Sequence, residues 1–168
     1  MLYPIVKIAT LLLLAILFYE DIRYRSISIH WIALTFLGVL GLAYLEAKLN
    51  WVNILVNLSF VAIQVIFISL YLMLKLKNIR DIFKNYIGVG DIVFWIIPAF
   101  YLDPIVYVFY ALFCYLSVLV VFGVIMAIRK KSVTVPLAGF MALVLGLYIA
   151  CEWYGISLGY WINGLIIH

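Results

Sequence analysis

Two aspartates stand out in a chain that has few charged residues. Asp21 follows an apolar run at residues 2–19, and Asp91 ends the sequence Gly88-Val89-Gly90-Asp91 just before another apolar run. Two carboxyl groups that are brought together cannot easily both ionise, so one of them keeps a proton. The ionised carboxylate can then activate a water molecule while the protonated one donates a hydrogen bond to a carbonyl oxygen. The chemistry open to such a pair is hydrolysis of a peptide bond.

The surroundings of each aspartate suggest a role for it. Gly88 and Gly90 allow unusual backbone angles and a close approach of another chain, so an extended substrate could reach Asp91. We expect Asp91 at a helix N-terminus, where the helix dipole favours ionisation, and Asp21 at a helix C-terminus, where it disfavours ionisation. This assigns Asp91 as the base and Asp21 as the carrier of the proton, although the basic residues that follow Asp21 favour the reverse.

Both features also have a simpler interpretation. A Gly-x-Gly-Asp sequence before a helix is typical of a turn followed by an N-cap. An acid that follows a membrane helix is often a solvated flank. The two aspartates can act as a pair only if helices or strands elsewhere in the sequence bring them together.

The amino-acid composition indicates the class of protein to which these elements belong. Of 168 residues, 70% are hydrophobic and 11% are charged, whereas soluble domains have about 25% charged residues. The mean hydropathy is +1.28. These values exclude a soluble domain and a disordered chain, and the sparse basic residues do not form the face that nucleic-acid binding needs. The sequence predicts an integral membrane protein in contact with the lipid bilayer.

Six apolar runs predict an all-α polytopic fold with about six transmembrane helices in a single domain, residues 1–168. The runs cover residues 2–19, 27–47, 51–74, 92–102, 105–128 and 136–150. The first run lacks a small-residue cleavage site, so we expect it to be retained. The third contains Asn53, Asn57 and Gln64, which should face neighbouring helices rather than lipid. The tail, residues 151–168, is consistent with either a further span or an interfacial segment.

Basic residues predict the orientation of these helices. Nine of the 11 lysines and arginines follow the first, third and fifth runs, and the exceptions are Lys7 and Lys48. Cytoplasmic loops carry the excess of positive charge. The N-terminus should therefore lie on the outer side of the cytoplasmic membrane. Asp21 and Asp91 then lie on the cytoplasmic side, at the membrane boundary, where acids are functional candidates.

Cysteine and histidine give no sign of a metal or disulfide. Cys114 and Cys151 lie in apolar runs without a CxxC spacing, and His30 and His168 have no partners at metal-ligand spacing. We expect no metal and no organic cofactor.

Three stretches together resemble the type IV prepilin peptidases, which are membrane aspartic proteases of the GxGD kind. Residues 21–28 (DIRYRSIS) are similar to the first motif of the family, and residues 88–91 (GVGD) match the second. Residues 130–140 (KKSVTVPLAGF) resemble the basic loop and the entry to a late helix. The resemblance implies that Asp21 and Asp91 are catalytic. It also implies that the substrate is a prepilin-like membrane protein, cleaved after its basic leader at the cytoplasmic face.

The chain departs from the family in three ways. Val93 stands where many members have a lysine, Ala138 stands where many have part of a Gly-Pro pair, and the N-terminal insertion with two CxxC pairs has no counterpart. We therefore expect the peptidase activity alone, without N-methylation.

Several other functions stay open. One is a non-enzymatic membrane protein, such as a small transporter or an assembly subunit, and another is an inactive relative of the peptidases. A presenilin-like or signal-peptide-peptidase-like protease is a third possibility, although the typical Tyr-Asp and Pro-Ala-Leu signatures are lacking. The oligomeric state is also open.

Overall fold

A computed structural model of the chain describes residues 2–24, 27–76, 89–129 and 137–156, and within them it shows helices and no strand. The helices are α1 (Leu2–Tyr24), α2 (Ile29–Leu45), α3 (Trp51–Leu76), α4 (Val89–Ile96), α5 (Pro104–Arg129) and α6 (Leu137–Trp153), with a 3₁₀ helix at Ile97–Phe100 after α4. Each predicted apolar run corresponds to one of the six, so the all-α prediction is confirmed.

Within the described residues, three helices are long and apolar enough to cross a membrane. They lie in α1, α3 and α5, while α2 and α6 are apolar but have 17 residues each. Large side chains on α3 are exposed, among them Phe67 at 71% and Leu74 at 79%. Apolar surface on this scale requires lipid rather than water, so the chain is a polytopic membrane protein.

Contacts along α1 show that α2 and α6 both run antiparallel to it. Thr10 lies against Gly38 of α2, and Leu14 lies beside Gly146 of α6. Near one end of the bundle Lys7 approaches the Trp153 ring of α6. We call this the Glu46 end, after the residue that follows α2, and we call the other the Asp21 end.

Contacts of α3 and α5 show the direction of these two helices. Asn57 donates hydrogen bonds to the carbonyl oxygens of Ala99 and Leu102, at 3.1 and 2.8 Å. The Phe60 and Tyr107 rings meet edge to face farther along, so α3 and α5 both begin at the Glu46 end and run parallel. The prediction that polar residues of the third run face neighbouring helices is confirmed for Asn57.

Two helix ends differ most from the sequence prediction. Helix α1 continues five residues beyond the apolar run, to Tyr24, and the Arg23 guanidinium binds the Tyr19 hydroxyl one turn earlier and lies over its ring. The fourth run is an α-helix only to Ile96. Pro98 has no N–H to continue the α-helical pattern, so the chain tightens into a 3₁₀ helix there.

The buried centre lies between α1, α2 and α6. Fully buried side chains from these helices pack together, with α4 against α2 and α6; they include Leu17, Val39, Leu42, Met141 and Leu145. This packing fixes the C-terminal end of α1 beside the N-terminal end of α6, where the candidate site lies.

Candidate active site

Asp21 is a buried acid in the last two turns of α1, and only 7% of it is exposed. Its Oδ2 atom accepts a hydrogen bond of 2.6 Å from the Gly139 backbone N–H, 118 residues away in the sequence. Gly139 is the third residue of α6, where backbone N–H groups have no partner within the helix. The N-terminus of α6 therefore holds one oxygen of Asp21, and in the described part of the chain Oδ1 receives no hydrogen bond.

Gly139 is required by the closeness of this contact. A Cβ atom at this position would lie 2.9 Å from the Asp21 Cβ, closer than real contacts allow, and 3.0 Å from Oδ2, which is tighter than most real contacts. The sequence prediction gave Gly139 no role, although it is part of the third stretch that resembles the peptidases. The available signal was a glycine near the beginning of an apolar run, three residues after the predicted start at Pro136.

Asp91 lies in the first turn of α4, as predicted for an acid at a helix N-terminus. The preceding residue, Gly90, lies beside Ile32 of α2, whose Cδ1 would be 3.9 Å from an added Cβ. Ile32 is in the first turn of α2, at the Asp21 end of the bundle. The backbone of Asp91 therefore lies at the same end as Asp21.

The glycine motif is divided by the start of α4. Helix α4 begins at Val89, and Gly90 is its second residue. The sequence prediction placed both glycines before the helix. Gly88 lies outside the described residues. Val93, which stands at the position of the family lysine, is 37% exposed on α4.

Neighbouring charges at this end bind groups other than Asp21. Arg23 contacts the rings of Tyr19 and Tyr24, and Glu20 accepts a hydrogen bond of 3.3 Å from the Ser28 backbone N–H. Arg25 lies outside the described residues. Within the described residues, no group of three or more His, Cys, Asp or Glu side chains is placed to hold a metal ion.

A second polar site, at the Glu46 end, was not predicted. We call it the Glu46 network; its members are Tyr3, Lys7, Glu46, Lys48, Tyr101, Tyr148 and Glu152. Lys7 donates to Glu46 Oε1 at 3.0 Å, and Lys48 donates to Glu46 Oε2 at 3.0 Å and to Glu152 Oε2 at 2.5 Å. Two ammonium groups therefore meet two carboxylates, and the network is neutral.

Tyrosines complete the network. The Tyr101 hydroxyl lies 2.7 Å from both Glu46 Oε2 and Glu152 Oε2, and Tyr3 donates to Glu46 Oε1 at 2.8 Å. Burial opposes ionisation of Glu46, but the hydrogen bonds from these tyrosines and the two lysines outweigh it and lower the pKa of Glu46 to about 2.

The Glu46 network explains the two exceptions in the charge pattern. Lys7 and Lys48 lie at the end of the bundle opposite to Arg23, and each is paired with a carboxylate. The signal in the sequence was two acids, Glu46 and Glu152, placed on the side that has few basic residues. A lysine that is 1% exposed, as Lys7 is, is stable only with such partners.

No protein-family model matches the chain, and no significant match to it was found among curated proteins or among solved structures.

Proposed function

We propose that the chain is a membrane aspartic endopeptidase that removes the basic leader from prepilin-like precursors, with Asp21 and Asp91 as its catalytic pair. The observation that supports this most is the burial of Asp21 at the end of the bundle where α4 begins, with Asp91 in its first turn. An acid in an apolar membrane bundle is costly to keep unless it has a function. The resemblance of three sequence stretches to the peptidases supports the same proposal.

The contact with Gly139 suggests how the two carboxyl groups divide the work. Because Oδ2 of Asp21 accepts the backbone hydrogen bond, Oδ1 is the oxygen that carries the proton and faces the substrate. Asp91, at the N-terminus of α4, is the ionised partner, since the helix dipole stabilises its charge.

Hydrolysis then proceeds in two steps. Asp91 takes a proton from water as the water oxygen attacks the scissile carbonyl carbon, while Asp21 donates its proton to the carbonyl oxygen. In the second step the tetrahedral intermediate collapses, the C–N bond breaks, and Asp91 returns its proton to the leaving amine. A hydroxyl proton goes back to Asp21. Chemistry of this kind uses water alone as its co-reactant.

The distribution of charge suggests which side of the membrane the site faces. Arg23 is in the last turn of α1, and Lys75 and Arg129 belong to the last turns of α3 and α5. All three helices end at the Asp21 end, so we infer from the positive-inside rule that this end faces the cytoplasm. A precursor helix in the same membrane would present its basic leader at that side, with the scissile bond at the depth of the pair.

Co-expression with a prepilin-like precursor tests the proposal. We expect leader removal by the wild-type chain and none by Asp21→Ala or Asp91→Ala at equal amounts in the membrane. Asp103→Ala is the matched control, because Asp103 lies at the Glu46 end, where it accepts a hydrogen bond from Asn53. This variant should cleave normally.

Two results would refute the proposal. Cleavage that survives loss of either aspartate excludes the catalytic pair. Absence of cleavage by the wild-type chain, with a precursor that a related peptidase does cleave, favours a non-enzymatic assembly subunit.

A further inference from the structure

An open apolar cleft lies between α5 and α6, in the half of the bundle near the Glu46 end. It has a volume of about 450 Å³ and is lined by α5 side chains between Val106 and Phe113 and by α6 side chains between Val144 and Cys151. Tyr110, one of two tyrosines in the lining, donates its hydroxyl to the Met141 carbonyl oxygen at 2.7 Å. The other, Tyr148, donates to Glu152 at 3.0 Å. The cleft therefore offers apolar surface and no free tyrosine hydroxyl.

The length of the cleft indicates which kind of molecule it fits. Each wall extends over seven residue steps of helix, which is about 10 Å at about 1.5 Å per residue. A transmembrane helix would need a groove along most of the hydrocarbon core, which is about 30 Å thick. One leaflet is about half of that. The cleft matches part of an acyl chain from a single leaflet and is too short for a partner helix.

A lysine side chain lies near one end of the cleft. Tyr148 belongs to both sites, since its ring lines the cleft and its hydroxyl belongs to the Glu46 network. The Lys48 ammonium lies 6.0 Å from the centre of that ring, and its side chain is 30% exposed. Among the described residues, this ammonium binds the carboxylates of Glu46 and Glu152. An ammonium has three N–H donors, so one remains for a phosphate oxygen while the attached chain occupies the cleft.

We propose that this cleft binds one phospholipid from the leaflet at the Glu46 end, with an acyl chain between α5 and α6 and the phosphate beside Lys48. The apolar lining selects the chain, and the remaining N–H of the Lys48 ammonium donates a hydrogen bond to the phosphate. This site lies in the other half of the bundle from Asp21, so the proposal does not depend on the peptidase activity.

Native mass spectrometry of the purified full-length chain, titrated with phosphatidylglycerol, tests this directly. Val144→Trp places an indole in the cleft and should reduce the one-to-one lipid complex at least ten-fold. Leu143→Trp is the matched control on the same helix, because Leu143 is 37% exposed and does not line the cleft. Diacylglycerol, which has the chains without the phosphate, should bind several-fold more weakly than phosphatidylglycerol.

A second measurement needs no substitution. Cys151 lines the cleft and Cys114 is fully buried, so phosphatidylglycerol should slow maleimide labelling of Cys151 several-fold while Cys114 stays unlabelled. Equal lipid binding by the two tryptophan variants would mean that the lipids are merely annular, and the proposal would be wrong. It would also be wrong if lipid left the labelling rate unchanged, or if an apolar helical peptide slowed labelling in place of lipid.

Discussion

The two ends of the bundle hold their buried acids in opposite ways. Glu46 receives hydrogen bonds from four side chains, two of them lysines, and these use both of its oxygens. Within the described residues, Asp21 receives one, from a backbone N–H, on one oxygen. A carboxylate whose charge and lone pairs are all satisfied stabilises the fold and has nothing to offer a substrate. The comparison teaches that unused hydrogen-bonding capacity, rather than burial alone, distinguishes a candidate catalytic acid.

The largest effect on stability should come from the Glu46 end. Glu46→Leu leaves the ammonium of Lys7 buried without its carboxylate, which should cost about 3–5 kcal/mol of unfolding free energy. Reversible unfolding in mixed micelles measures this. Adding Lys7→Met to Glu46→Leu should restore much of the loss, because the buried cation is then gone.

If Glu46→Leu alone lowered the unfolding free energy by less than about 1 kcal/mol, the proposed difference between the buried acids at the two ends would be contradicted. It would mean that the network behaves as an exposed ion pair does.

At the Asp21 end, Gly139→Ala should cost about 1–3 kcal/mol, because the new methyl group overlaps Asp21 in a packed contact. Gly146→Ala is the control on the same helix and the same interface. Its Cβ would lie 3.8 Å from Leu14, an ordinary contact. The two variants are compared by the same unfolding measurement, and equal stabilities would show that α6 does not hold Asp21 closely.

The turn between α4 and α5 gives a smaller expected effect. Asn57→Leu removes two hydrogen bonds to carbonyl oxygens of that turn, and interhelical hydrogen bonds in membranes contribute about 1 kcal/mol. Asn53→Ala, which removes an exposed hydrogen bond to Asp103, should change the unfolding free energy by a few tenths of a kcal/mol. If Asn53→Ala were the more harmful change, the turn would not depend on Asn57.

The Glu46 end should also respond to acid. Since the pKa of Glu46 falls from 4.5 to about 2 on folding, its ionisation contributes stability that is present above about pH 4.5. That contribution is lost as the pH falls through the region of about 2. The unfolding free energy of Glu46→Gln should therefore differ least from that of the wild type in the most acidic solutions. The stability of both proteins, measured by unfolding between pH 7 and pH 3, checks this; a difference that already narrows above pH 5 would contradict it.

Local sequence pattern predicted the helices but not the contacts between them. The six apolar runs are visible because each helix must be apolar along its own length. The pairing of Asp21 with Gly139 depends on how α1 and α6 pack, and no local pattern specifies that. The same holds for Lys7 and Glu46, which belong to different helices and meet only in the folded bundle.

The end of α1 shows a second limit of the sequence prediction. The apolar run stops at residue 19, yet the helix continues to Tyr24, because polar side chains such as Arg23 find partners one turn earlier. Composition marks where lipid contact ends rather than where the helix ends. The position of Asp91 in the first turn of α4 was predictable, because the glycines before it are typical of a helix start.

The most direct test of the proposed pair is the rate of precursor cleavage by purified Asp21→Asn, Asp91→Asn and the double variant in proteoliposomes. Residues that act as one catalytic unit have non-additive effects. We predict that each single variant loses about 10³-fold or more in rate and that the double variant is no slower than the worse single one. Losses that multiply in the double variant, or a single variant that keeps the wild-type rate, would contradict a shared catalytic role for Asp21 and Asp91.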